Sequence, residues 1–217
     1  TLQITKSQTG YGIGMHGPSE NGVIESGHIQ DCYNGITVRG RNTTVRNVTF
    51  SGSFSTCISL HENGAGLVVA GCLYDSFNYP NKLSDLATAD TTSFAGMFLQ
   101  LGLSSGGSAA DCFYDLPVIV RNNVAKGLKT TFVQFSQNVS TGQNLRIVNN
   151  YIESAPGAGK TFYTFYTPQS SFNIQNAYFA GNTCNPINGA AFEWHPNIAL
   201  GYRGSSTVKC YVNGVYY

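Results

Sequence analysis

A two-strand unit recurs along this chain, and no other feature restricts its fold as strongly. The leading part of the unit is seen in HIQDCYNGITV (28–38), TVRNVTFSG (44–52), LVVAGCLYDS (67–76), VIVRNNVAKG (118–127), LRIVNNYIES (145–154) and AYFAGNTCNP (177–186). Ile29, Val45, Val69, Val120, Ile147 and Phe179 take the leading apolar position. A small or amide pair and a further apolar residue follow. A second strand comes after each Gly-rich turn: GITVRG (35–40), CISLHE (57–62), GMFLQL (96–101), FVQFSQ (132–137), FYTFYT (162–167) and AFEWHP (191–196). Short alternating segments bounded by Gly, Asn and Ser are a strand signal, and no window carries a helical apolar stripe. A fixed unit repeated in register points to a solenoid.

Stacking the second strands gives two apolar columns. One is Ile36, Ile58, Met97, Val133, Tyr163 and Phe192; the other is Val38, Leu60, Leu99, Phe135, Phe165 and Trp194. Side chains alternate between faces with period two, so these columns are expected to point inward. The columns between them are then outward: Thr37, Ser59, Phe98, Gln134, Thr164, Glu193, and Arg39, His61, Gln100, Ser136, Tyr166, His195. A β-sandwich of short strands is the competing architecture, but it leaves the in-register apolar columns unexplained.

These residues resemble the right-handed parallel β-helix of the pectate-lyase-like superfamily. The paired amides Asn122-Asn123 and Asn149-Asn150, the NGI at 34–36 and the stacked columns carry the resemblance over roughly residues 20–213. It implies an all-β, single-stranded right-handed solenoid of about seven coils, forming one domain over 1–217 with inserted loops at 74–94 and 102–117. The family includes lyases, polygalacturonases and bacteriophage tailspikes. In its Gly-, Asn- and Ser-rich composition the chain is most similar to tailspikes and related phage receptor-binding proteins.

Charged residues make up only 11% of the chain and net charge is +1, against roughly 25% charged in ordinary domains. That excludes the basic footprint of a nucleic-acid binder. No stretch approaches the roughly 20 apolar residues of a membrane span, so no membrane insertion is expected. The first residue is Thr1, with no leader peptide, which reads as a processed or excised piece of a longer protein. The six cysteines show no metal-ligand spacing and are expected to be reduced core residues. No metal and no cofactor is expected. Three Asn-X-Ser/Thr matches, at Asn42, Asn47 and Asn138, are expected by chance in a chain this rich in those residues.

The expected outward face carries amides, hydroxyls, planar side chains and few charges, which suits a glycan. Arg39, His61, Gln100, Gln134, Tyr166, Glu193 and His195 are the expected substrate contacts. Chemistry is harder to place with only 11 carboxylates. Glu193 and Glu62 lie four coils apart, roughly 19 Å at strand spacing, and cannot act together on one bond. The expected acid and base are Glu62 and Asp90, Asp90 or Asp75 being carried over Arg39, His61 and Gln100 by the 74–94 loop. Two carboxylates would serve hydrolysis. Lyase chemistry is the weaker enzyme reading, because no aspartate run offers a calcium site.

Three functions follow as expectations. The first is a tailspike-type protein, on a virion tail or extracellular, that binds and depolymerises a bacterial surface polysaccharide. The second is a non-catalytic receptor-binding or structural tail module. The third is a secreted cellular lyase or glycoside hydrolase. The resemblance also implies a homotrimer, and the apolar tail CYVNGVYY (210–217) is the expected partner contact.

Overall fold

The computed structural model describes residues 2–15, 19–52, 54–61, 64–75, 97–103, 116–128, 132–135, 141–143, 145–154, 163–165, 173–185, 207–212 and 215–216. Side chains are described for 12–15, 19–52, 54–61, 64–75, 98–101, 116–128, 132–133, 145–153 and 178–183.

All the described elements are strands. In chain order they begin with β1 (Leu2–Met15), β2 (Val23–Glu25), β3 (Gly27–Val38), β4 (Thr44–Arg46), β5 (Thr49–Ser51) and β6 (Thr56–His61). Next come β7 (Val68–Ala70), β8 (Leu73–Asp75), β9 (Met97–Leu103), β10 (Val118–Arg121), β11 (Val124–Leu128) and β12 (Val133–Phe135). The last are β13 (Thr141–Gln143), β14 (Leu145–Val148), β15 (Tyr151–Ser154), β16 (Tyr163–Phe165), β17 (Asn173–Ala180), β18 (Thr183–Asn185), β19 (Thr207–Val212) and β20 (Val215–Tyr216).

Three parallel ladders organise these strands. The first runs β2-β4-β7-β10-β14-β17-β19, with β20 closing it antiparallel. The long strands β1 and β3, paired in parallel along their length, begin both of the others: β5-β8-β11-β15-β18 pair onward from the first half of β3, and β6-β9-β12-β16 from its second. One pass through the three ladders is one coil. This all-β, parallel, curled-sheet arrangement is compatible with a β-helix or solenoid.

The repeat therefore has three strands per coil and not two. A two-residue bend splits the leading units from TVRNVTFSG onward, so VIVRNNVAKG, bent at its paired amides, holds both β10 and β11. Val45, Val69, Val120, Ile147 and Phe179 do stack as expected, but the rung below Val45 is Ile24. Ile29 belongs to the second ladder, under Phe50 and Tyr74.

The bend has one backbone solution. Its first residue has positive φ in successive coils: Ser26 (57°), Asn47 (54°), Gly71 (65°), Asn122 (55°), Asn149 (55°) and Gly181 (63°). Glycine and asparagine tolerate this left-handed conformation best. The two types also interlock: Asn47 Oδ1 lies 2.7 Å from where a Cβ on Gly71 would be, and Asn149 Oδ1 fills the equivalent place at Gly181. Asn42, inside one of the Asn-X-Thr matches, is another left-handed residue (53°) at a different corner.

The second residue of the bend turns into the core, and its N–H needs a partner. Asn150 Oδ1 accepts from the Asn123 backbone N–H (3.0 Å) and from Asn123 Nδ2 (2.9 Å). Asn182 Oδ1 does the same for Asn150 (3.0 and 2.9 Å), and Asn123 Oδ1 accepts the Cys72 N–H (2.9 Å). Each amide also donates down to a first-ladder carbonyl, of Val69, Val120 or Ile147 (3.1, 3.0 and 2.8 Å). At the rung below, Cys72 takes the same place, its thiol 3.7 Å from Val45 O.

The core also holds an aromatic group. Phe98 stacks on Phe132 (4.9 Å, 8°) and meets Phe50 edge-on (6.4 Å). Cys32, Cys57 and Cys72 are buried free thiols, as expected from the sequence. Burial pushes the Cys57 thiol well above its usual range, with Cys72 and Cys32 adding to the effect. Burial also raises Cys72 to about 11, against backbone hydrogen bonds at Val48, Ala70 and Asn47 that lower it. Among the described residues no helix is long and apolar enough to cross a membrane.

Two outcomes test this frame. Asn150→Ala strips a buried N–H of its acceptor and removes several amide hydrogen bonds, which should cost about 3–5 kcal/mol in urea unfolding, at about 1 each plus the unmet donor. Asn122→Gly, at the exposed left-handed position, should change stability by less than about 1 kcal/mol. The second outcome concerns alkali. Below the ordinary thiol value both states keep the Cys72 proton; between there and about 11 only the native state does. Stability is therefore intact below that window and falls as pH rises through it, by up to about 1.4 kcal/mol per pH unit. Cys72→Ala should show a shallower fall than the parent over the same range.

Candidate functional site

The third ladder carries the residues expected to form the site, and its register differs from that expected. Ile36, Ile58, Leu99, Val133 and Tyr163 pair across successive coils, and so do Val38, Leu60, Leu101, Phe135 and Phe165. Strand β9 is thus displaced by two residues: Leu99 occupies the place expected for Met97, and Leu101 that expected for Leu99. Phe98 is not outward but fully buried in the aromatic stack. Gln100 moves with its strand and pairs with Ser59, in the row Thr37, Ser59, Gln100, Gln134, Thr164.

Phe98 and Leu99, although adjacent, both lie in the core. The Thr56 hydroxyl is 3.5 Å from Gln100 Oε1, although Gln100 pairs with Ser59, three residues further on. Strict alternation would put Thr56 and Ser59 on opposite faces. Cys57 and Ile58, on the rung below Phe98 and Leu99, are likewise adjacent and both fully buried.

At Thr37 and Ser59 the hydroxyl and amide row is buried and not an open groove. Thr37 and Ser59 are 0% exposed and their hydroxyls meet at 3.2 Å, with Ser59 also 3.5 Å from Ile36 O. Only Gln100 is partly accessible among the described side chains of this row. A buried hydroxyl pair satisfied by its own neighbours ties coil to coil.

Arg39 and His61 follow the paired residues Val38 and Leu60, so they hold matching places on adjacent coils. Arg39 is half-buried, its backbone N–H donates to Met15 O (3.0 Å), and its Nε is buried with no hydrogen-bond partner among the described residues. His61 is only 2% exposed. A register shift sets His61 beside Leu103, so Gln100 does not continue the Arg39–His61 column. Glu62, Asp90, Tyr166, Glu193 and His195 lie outside the described residues, as does the Gln134 side chain. Phe192 and Trp194 lie outside them too.

Asp75 does not belong to a loop over this cluster. It ends strand β8 on the second ladder, buried, in register with Ser51 and Lys126. Tyr74 beside it is a core residue whose hydroxyl is 3.5 Å from Gly52 O. The expected 74–94 insertion thus loses residues 74–75 to β8, and the 102–117 insertion loses 102–103 to β9. Among the described residues no group of three or more His, Cys, Asp or Glu could hold a metal ion.

The sequence reading passed over the outward side of the first ladder. One outward row there is Val23, Thr44, Val68, Ile119, Arg146 and Tyr178. The other is Glu25, Arg46, Ala70, Arg121, Val148 and Ala180. Arg46 pairs with Glu25 at 2.8 Å, both exposed, a contact of small net effect. The alternation of Ile119-Val120-Arg121 and Arg146-Ile147-Val148 was the signal that could have marked these arginines as outward.

No family model matches the chain, and neither a curated protein nor a solved structure matches it.

Proposed function

We propose that the chain is a right-handed parallel β-helix of tailspike type that binds a bacterial surface polysaccharide and depolymerises it, on a virion tail or outside the cell. The observation that carries this reading is the amide ladder Asn123–Asn150–Asn182 between stacked parallel coils. It satisfies the bends with uncharged side chains and leaves long rows of outward positions in register along the coils. A linear sugar polymer suits such rows, because its repeat can run parallel to the stack. Depolymerisation rests on Glu62 and Asp90 as acid and base, with Arg39 as a substrate contact.

A non-catalytic receptor-binding or structural module is the second reading. The burial of Thr37, Ser59 and His61 favours it, since these positions cannot touch a ligand where they are.

The deciding experiment incubates the protein with a panel of capsular and O-antigen polysaccharides, then measures binding, reducing ends and the ultraviolet absorbance of unsaturated products. Hydrolysis is expected: reducing ends without the unsaturated chromophore. Glu62→Gln should lower that rate by about 10²–10⁴ with affinity nearly unchanged, as loss of a general acid or base does. Binding without cleavage would leave the second reading; absence of binding throughout the panel would remove the first and leave only a structural module. A homotrimer is also expected in light scattering, and a mass near the 23.3 kDa of one chain at micromolar concentration would refute it.

A further inference from the structure

We infer that the stack opens at one seam, between the coil β4-β5-β6 and the coil β7-β8-β9, so that β1–β6 and the strands from β7 onward form two cooperative units. Backbone ladders cross every boundary between coils. The stability of a solenoid is a sum of coil terms and nearest-neighbour terms, so side-chain ties decide where it parts.

Above the seam those ties are short. Asn123, Asn150 and Asn182 join the coils of β7, β10, β14 and β17 through amide hydrogen bonds of 2.8–3.1 Å. Below the seam, His28 Nε2 and Ser51 Oγ lie 2.7 Å apart, and the Thr37 and Ser59 hydroxyls 3.2 Å apart. Both pairs join the coil of β3 to that of β5 and β6. Across the seam the described side-chain hydrogen bonds are longer. The Tyr74 hydroxyl is 3.5 Å from Gly52 O, the Thr56 hydroxyl 3.5 Å from Gln100 Oε1, and the Cys72 thiol 3.7 Å from Val45 O.

The amide ladder stops at this boundary. Val48 holds the inward place at the bend of its coil, and its backbone hydrogen bond reaches Cys72 and not an asparagine. Sulfur is a weaker partner than an amide oxygen. The ring contacts that cross here are edge-on, Phe50 with Phe98 (6.4 Å) and Phe54 with Tyr74 (6.3 Å). One boundary up, Phe98 stacks flat on Phe132 at 4.9 Å. Strands β6 and β9 also shift register between Leu60 and His61. Both inserted segments interrupt the upper coil, one after Asp75 and one after Leu103, and a longer connection costs more entropy to close. Opening confined to this boundary is sub-global: it uncovers Cys72 while each unit keeps its own hydrogen bonds.

The test is backbone amide hydrogen exchange on the intact chain under native conditions, read as protection factors boundary by boundary. The N–H groups of Asn42, Asn47, Val68 and Leu73 bond across the seam, to the carbonyls of Ala65, Ala70, Thr43 and Val48. Those of Thr44 and Ser55 cross the boundary below it, and those of Ile119, Val124 and Tyr151 cross boundaries above it. The seam group should exchange at least about tenfold faster than either other group, and iodoacetamide should label Cys72 with the same opening constant. Cys72→Asn, which sets an amide one coil below Asn123, should slow the seam group at least about tenfold and leave the others unchanged. Uniform protection at all boundaries, or protection that changes steadily from one end of the stack to the other, overturns the inference. Labelling of Cys72 only at the opening constant of Tyr151 overturns it as well. So does a folded Cys72→Asn chain whose seam exchange matches the parent's; where that variant does not fold, the parent's own profile decides.

Discussion

A buried N–H at a two-residue bend is the constraint on which the rest of this structure depends. Each coil passes from its first strand to its second through one left-handed residue and one inward residue. The left-handed residue keeps the backbone ladder going: Asn47 N–H reaches Ala70 O, Gly71 N–H reaches Arg121 O and Asn122 N–H reaches Val148 O (3.1, 3.2 and 3.2 Å). The inward residue's N–H turns instead to a side chain. The asparagine of the next coil supplies the acceptor, at Cys72, Asn123 and Asn150. An unmet buried donor costs about 1–3 kcal/mol, so a bend without this partner would weaken every coil it serves. The amides also lock register, because a slipped rung would separate each Oδ1 from both of its donors.

The parts of this arrangement legible in the sequence are those with local chemistry. Asn122-Asn123 and Asn149-Asn150 announce a bend because one amide suits a left-handed backbone and the other a buried, hydrogen-bonded one. The leading column was legible from Val45 to Phe179, since each member is flanked by outward residues on both sides. Two features were hidden by period two itself. In MFLQLGL the apolar residues recur at alternate positions, so a two-residue slip leaves every side chain on its own face. Alternation cannot tell Met97 from Leu99 as the partner of Ile58; only the stacked rings of Phe98 and Phe132 settle it. Ile29 was misplaced for a related reason. Strand β3 is continuous through two ladders, and the turn between them falls at Asp31, left-handed (52°) like Gly52 and Gly127 after the same column in other coils, which an aspartate marks less plainly than a glycine.

The candidate site was less legible than the fold because outward is not the same as exposed. Thr37, Ser59 and His61 occupy the side of the strand that alternation assigns to solvent, yet all are buried. Their types fit a sugar groove and equally fit a hydroxyl tie between coils, and Thr37 with Ser59 serves the second role. Conversely, only the pairing of β10 with β14 puts Arg121 and Arg146 on one strip beside Tyr178.

The central claim is that side-chain amides, and not only backbone ladders, hold successive coils together. Hydrogen exchange of asparagine side-chain amides, followed by NMR on the intact chain, tests it most directly. The Nδ2 protons of Asn123 and Asn150 are buried and donate to Val69 O and Val120 O as well as to the next asparagine. They should exchange as slowly as the backbone amides of β10 and β14, while those of the exposed Asn122 and Asn149 exchange at rates near free peptide. Equal, fast exchange at all four asparagines would contradict the account.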